Sequence, residues 1–189
     1  MDADLTAILA AYVPRSAQEV ADLQRLKALV ALPGAWNRAL PLHATGSAII
    51  LHPATGRVLL RWHQRMRAWL QVGGHGDPGE TSPLAVALRE GREETGLADL
   101  APWPDPDEPR VMQVVICPVP AGRGEPAHEH ADVRYVLATS RPDDATPEST
   151  VAQLRWLPIE EAISEVAEDN LRICLQRVAD LCRARRATL

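Results

Sequence analysis

Phenylalanine is absent from this chain of 189 residues, cysteine occurs three times, and no apolar run approaches the length of about 18 residues that a membrane span needs. The missing phenylalanine, set against five tryptophans, is a compositional bias without functional content. Cys117, Cys174 and Cys182 fall in apparent strand and helix positions without the paired spacing of a thiolate metal knuckle, so buried free thiols are expected. That suits a reducing cytoplasm. The first residues, MDADLTAILAAYVPRS, have neither the basic start nor the apolar core of an export signal, so neither export nor a membrane partner is expected. Acidic side chains outnumber basic ones by 25 to 20, for a net charge of −5, and no block of like charge is long enough to act as a nucleic-acid arm. Binding to a nucleic acid duplex is therefore not expected. No internal repeat is visible, which excludes a solenoid. With 46% hydrophobic residues, a chain of this length can bury one core.

What the chain does contain is concentrated in residues 73 to 97, GGHGDPGETSPLAVALREGREETGL. Four glycines between Gly73 and Gly79 form a loop whose backbone can approach a metal or a phosphate closely. Ser82 and Pro83 have the chemistry of an N-cap and a first helical residue, and Gly96 that of a left-handed C-terminal stop. Between them, Leu84, Ala87, Leu88 and Gly91 recur at the spacing of a buried stripe. At about 100° per residue, Glu93 and Glu94 lie about 60° to one side and 40° to the other side of Glu90, so three carboxylates share one helix face. Like charges at such spacing are each unfavourable by about 0.2–0.5 kcal/mol, and a hard divalent cation supplies a reason to stack them. Arg89, four residues before Glu93, can hold its rotamer.

This stretch resembles the signature of the Nudix hydrolases. Gly74, Glu80, Arg89, Glu90, Glu93, Glu94, Gly96 and Leu97 match its fixed positions. Two departures stand out: eight residues rather than seven separate Glu80 from Arg89, and the apolar position after Glu90 is Gly91. Trp69-Leu70-Gln71-Val72 resembles the family's strand into the loop. Glu148 to Trp156, Pro158 and the pair Glu160-Glu161 resemble its acidic loop, last strand and following helix. The resemblance implies an α/β fold, an α/β/α sandwich around a mixed β-sheet. It also implies a metal-dependent pyrophosphohydrolase that cleaves the diphosphate of a nucleoside diphosphate linked to another moiety. Glu90, Glu93 and Glu94 would hold Mg²⁺ or Mn²⁺, with the Gly73 carbonyl as a further ligand and Arg89, Glu93 and Glu94 as catalytic residues. Glu93 is the first choice for the base, with Glu129 and Glu148 as loop candidates.

Elsewhere, residues 3 to 13 have helical character up to Pro14. A capping box of Ser16 and Glu19 opens a helix over residues 17 to 31, with Val20, Leu23, Leu26 and Val30 as its stripe. Residues 1–40 are thus expected to form an N-terminal helical arm covering the sheet or a second subunit of a homodimer, and residues 41–189 the catalytic domain. His43 to Leu51 and Arg57 to Trp62 suggest a hairpin. Arg61, His63, Arg65 and Arg67 form a basic cluster that can meet phosphates or serve as a solvated turn, with Arg61 and Arg65 as the substrate candidates. Trp69 is expected in the core. Residues 101 to 110 are too polar for a strand, residues 111 to 117 suit one, and His128-Glu129-His130 precedes another in which Asp132 and Arg134 alternate with Val133 and Tyr135. His128 and His130 point the same way on an extended chain; binding to substrate is preferred there over a zinc pair. A last strand over 152–157, a helix from Pro158 and a long amphipathic C-terminal helix complete the chain. Two rivals remain at the level of sequence: a Nudix-like binding module without turnover, and a prenyl diphosphate isomerase whose cysteine would have to be Cys117.

Overall fold

Alternation along β1 (Leu42–His52) sends Ala44, Ala48 and Ile50 to one side of the sheet and Ile49 and Leu51 to the other, and two cores grow from these two sets. The computed structural model describes residues 5–122 and 124–187. The remaining strands are β2 (Arg57–His63), β3 (Ala68–Leu70), β4 (Val72–His75), β5 (Ala101–Pro102), β6 (Val111–Val119), β7 (His128–Ala138) and β8 (Leu154–Pro158). The helices are α1 (Leu5–Ala11), α2 (Ala17–Val30), α3 (Pro83–Thr95), α4 (Ile159–Glu165) and α5 (Asp169–Arg186).

β1 is the axis of a mixed sheet. Along one edge it pairs antiparallel with β2 through Ile50–His52 and with β4 through Thr45–Ala48, and along the other it runs parallel to β7. The order β3-β2-β1-β7-β5 is extended by β8 on β2 and β6 on β7. On one face, Leu5 and Leu9 of α1, Leu23 and Leu26 of α2 and Ala87 of α3 pack with Ala44, Ile50, Val133 and Tyr135. On the other, Leu171, Cys174, Leu175 and Val178 of α5 pack with Ile49, Leu51, Val58 and Val136. This is the α/β/α arrangement that the resemblance implies. The aliphatic half of the second face lies under α4 and α5, while its polar half, with Thr45 and Ser47 of β1 and His130, Asp132 and Arg134 of β7, lines a cleft.

Several local expectations are corrected. Val20 is 42% exposed and Glu19 and Asp22 are buried instead, because the Glu19 carboxylate meets Arg177 of α5 and Asp22 accepts from the Ile116 amide. His128-Glu129-His130 lies inside β7, between β1 and β6, and Ala101-Pro102 pairs with Leu137-Ala138, since pairing with neighbouring strands overrides local composition. Trp69 is part-buried against the α5 core, edge-on to Trp62 at 5.5 Å. Among the described residues, no helix is long and apolar enough to cross a membrane.

Candidate active site

α3 starts and stops where its chemistry dictates: Ser82 Oγ accepts from the Ala85 amide at 3.3 Å, Pro83 follows, and Gly96 closes the helix at φ 69°. The unusual Gly91 has a packing reason, since a Cβ there would lie 2.9 Å from Leu100 Cδ1. The acidic face divides into graded exposures rather than facing solvent uniformly. Glu93 is exposed, Glu90 is part-buried, and Glu94 is 8% exposed beneath β4. Glu90 presses on β4 so closely that a Cβ at Gly74 would stand 2.5 Å from its Oε1. Glu94 accepts from the Gly73 amide at 3.2 Å and faces Arg61 Nε at 3.4 Å.

Arg89 ties these parts together. Its Nε lies 3.1 and 3.2 Å from the Glu80 oxygens, Nη1 donates to Glu90 and Glu93 at 3.0 Å each, and Nη2 donates to the His75 carbonyl at 2.7 Å. The extra residue before Arg89 is therefore absorbed without separating it from Glu80, which also accepts from the Asp77 amide at 2.8 Å. The Arg89 guanidinium holds Glu80 below the usual carboxylate range. Burial acts the other way on the two inward carboxyls: it raises Glu90, and it pushes Glu94 up to about 7 against the opposing pull of Arg61 and the Gly73 amide. Desolvated carboxylates with one shared guanidinium and an oxygen-only donor set fit a hard divalent cation.

Of these carboxylates, Glu90 borders a cleft of ≈ 630 Å³, a size suited to a small ligand. Its floor is a buried network that sequence reasoning missed. Asp132 accepts from Thr45 Oγ1 at 2.9 Å, Ser47 Oγ at 2.7 Å and Arg134 Nε at 3.0 Å, while Arg134 continues to Gln113 at 3.0 Å and Cys117 Sγ at 3.3 Å. The only sequence signal was the polar alternation on β1 and β7. Burial pushes the Cys117 thiol up to about 12, which argues against a thiolate acting there.

The basic cluster separates. Arg61 and Arg65 both line the cleft, Arg61 paired with Glu148 and Arg65 with Glu125 at 2.6 Å, whereas Arg67 is exposed at a turn with φ 50°. His63 Nδ1 accepts from the Met66 amide at 3.2 Å, which closes that turn. Glu148 lines the cleft. Glu129 points to the opposite side of β7 and forms a bidentate pair with Arg25 of α2, at 3.1 and 2.6 Å, so it is removed from the candidates for base. His128 and His130 do point the same way, with Nε2 atoms 3.2 Å apart, and they meet His43 and His75. Burial lowers His75 to about 3 and His130 to about 4, so both rings are neutral near pH 7.

The NUDIX domain model matches residues 42–177. A phosphatase of 8-oxo-(d)GTP from Mycolicibacterium smegmatis is 32% identical over 126 residues, 67% of this chain; the chain spans about a third (34%) of that relative's length. Among solved structures, a Caenorhabditis elegans Ap4A hydrolase complex superposes with TM-score 0.57 at 19% identity, over 75% of this chain and 98% of that one. A NUDIX-family hydrolase from Clostridium perfringens superposes with TM-score 0.53 at 24% identity, over 74% and 97%. These two likenesses speak to the fold, whereas the family model covers the strands, loop and helix that build the cleft. The chain belongs to the NUDIX domain family.

Proposed function

We propose that this protein is a metal-dependent hydrolase that cleaves the diphosphate linkage of a nucleoside diphosphate joined to another moiety. The observation that carries the reading is the pressing of Glu90 and Glu94 against Gly74 and Gly73 at the cleft, with one guanidinium, Arg89, holding Glu80, Glu90 and Glu93. Glu90, Glu93 and Glu94 would hold Mg²⁺ or Mn²⁺, with the Gly73 carbonyl as a further ligand. Such an ion, when bound, neutralises phosphate oxygens and lowers the pKa of water. Arg61 and Arg65, which line the cleft, would bind the anionic oxygens of the substrate. Arg89 is a positioning residue that keeps the Glu93 carboxylate in one rotamer, and Glu93 accepts the proton of the attacking water. Glu148, on the cleft wall, is the alternative acceptor. Retention of all three helix carboxylates speaks against a binding module without turnover. The names of these relatives, an 8-oxo-(d)GTP phosphatase and an Ap4A hydrolase, agree with a nucleotide substrate.

The test is a product screen over nucleotide sugars, ADP-ribose, dinucleoside polyphosphates, oxidised nucleoside triphosphates and CDP-alcohols with Mg²⁺ or Mn²⁺. At least one should be hydrolysed, with turnover reduced at least about a hundredfold in both Glu93→Gln and Glu94→Gln. Equal activity in either variant removes that residue from the site. A full panel bound but not cleaved would favour the module reading.

A further inference from the structure

Four of the six histidines, drawn from three strands, converge at one end of the cleft. His43 on β1 lies beside His130 on β7 in the parallel register, and His75 on β4 lies opposite Thr45, two residues along β1 from His43. One nitrogen from each ring lies within 4.8 Å of the others. His130 Nε2 stands 3.1 Å from His75 Nε2 and 3.2 Å from His128 Nε2. Nitrogens about 2.0–2.1 Å from a tetrahedral zinc stand about 3.3–3.4 Å apart, so these two separations lie within a few tenths of an ångström of a coordination shell.

The proton inventory makes the arrangement unfavourable without a cation. A carbonyl only accepts, so His43 Nδ1, 2.9 Å from the Leu40 oxygen, carries the ring proton, as does His128 Nδ1, 2.9 Å from the Pro126 oxygen. A ring whose one proton sits on Nδ1 presents a bare lone pair at Nε2. His43 is 1% exposed, and its Nε2 is buried without a hydrogen-bond partner. His130 Nε2 has at most one proton for two nitrogen neighbours, so at least one of its two contacts cannot be a hydrogen bond in which it donates. The Nδ1 proton of His128 is held by the Pro126 carbonyl and does not reach this contact. The same carbonyl contacts are what fixed metal-ligating imidazoles use to set tautomer and ring orientation.

We propose that His43, His75, His128 and His130 form a second metal site, for a four-coordinate divalent transition ion of the zinc class. The donor set is imidazole only, which selects zinc and its neighbours, whereas the oxygen donors of α3 select magnesium or manganese. This role replaces the substrate-binding role expected for His128 and His130 from the sequence. The ion would tie β4 to β1 and β7. Because the His75 carbonyl accepts from Arg89, the ion would also hold β4, with Gly73 and Gly74, against the carboxylates. The proposal stands on the four rings and does not depend on the diphosphatase reading.

The test is titration of the chelator-treated, full-length protein with Co²⁺, followed by displacement with Zn²⁺ or excess Mg²⁺. One equivalent of Co²⁺ should give the intense visible absorption of a four-coordinate ion, which Zn²⁺ abolishes at stoichiometric addition and Mg²⁺ leaves. His43→Ala and His130→Ala should each weaken binding at least about a hundredfold. Should either fail to fold by circular dichroism, His128→Ala, whose ring is part-exposed, gives the same readout. Glu93→Gln and Glu94→Gln should keep the spectrum, which separates this site from that of α3. Absence of the four-coordinate band in folded wild-type protein overturns the proposal, as does a band that survives the histidine substitutions or disappears in Glu94→Gln.

Discussion

A single side chain, Arg89, hydrogen-bonds to three carboxylates and a carbonyl, and that geometry gives its partners separable properties. Glu80 is the partner whose titration reports the contact. Its folded pKa lies below the ordinary value of 4.5, so the contact contributes stability that is present above pH 4.5 and is lost as pH falls through the lower folded value. In a series of urea denaturations, Glu80→Gln should therefore be less stable than the parent above pH 4.5, with a flatter loss of stability below it. A parallel pair of curves would show that Arg89 does not depend on this carboxylate. Glu94 behaves in the opposite sense, because burial, not pairing, dominates its environment. Metal-free Glu94→Gln at a pH above 7 should be at least as stable as the parent while turnover falls, since the amide escapes the cost of a buried charge and can still accept from Gly73.

At the scale of elements, the site depends on how closely α3 lies against its neighbours. Gly91 is the tightest apolar point, and the apolar residue that the family signature has there would need Leu100 to move. Gly91→Val should cost about 1–3 kcal/mol in denaturant unfolding by overpacking. An unchanged midpoint would mean that Leu100 has room to turn away. The N-terminal arm is held by a different kind of contact. Glu19 of α2 and Arg177 of α5 form an ion pair with side chains 5% and 9% exposed, and Tyr12 donates to the same carboxylate at 3.1 Å. Glu19→Ala leaves the buried guanidinium without its partner charge and should cost about 3–5 kcal/mol by urea unfolding. A loss within the range of a surface pair, under about 1 kcal/mol, would show that solvent reaches Arg177.

For the molecule as a whole, the N-terminal helices share one core with the sheet: Leu5, Leu9, Leu23 and Leu26 are buried with Ala131, Val133 and Tyr135. We infer that the arm and the sheet fold as one unit, with α1 and α2 serving as a cover for one face. A cation bound only by the folded state would then stabilise this entire unit. Mg²⁺ or Mn²⁺ at a hundred times its dissociation constant should add about 2.7 kcal/mol and raise the melting temperature accordingly. If the melting temperature stays constant in millimolar metal, the α3 carboxylates bind the ion only together with substrate.

The sequence by itself determined the helix of α3, its two ends, the shared face of Glu90, Glu93 and Glu94, and the family, because helical periodicity and capping act over a few neighbouring residues. It also made the alternation of β7 visible, and with it the common direction of His128 and His130. Only the tertiary structure decided that Glu94 is buried and Glu93 exposed, since that distinction comes from β4 lying over one edge of the helix. The same is true of Glu129, which the pleat of β7 turns towards Arg25 and away from the cleft. The four histidines show the limit most clearly. Positions 43, 75, 128 and 130 become neighbours through the register of β1 with β4 and with β7, and register is set by hydrogen bonding and burial along whole strands, which no local pattern encodes.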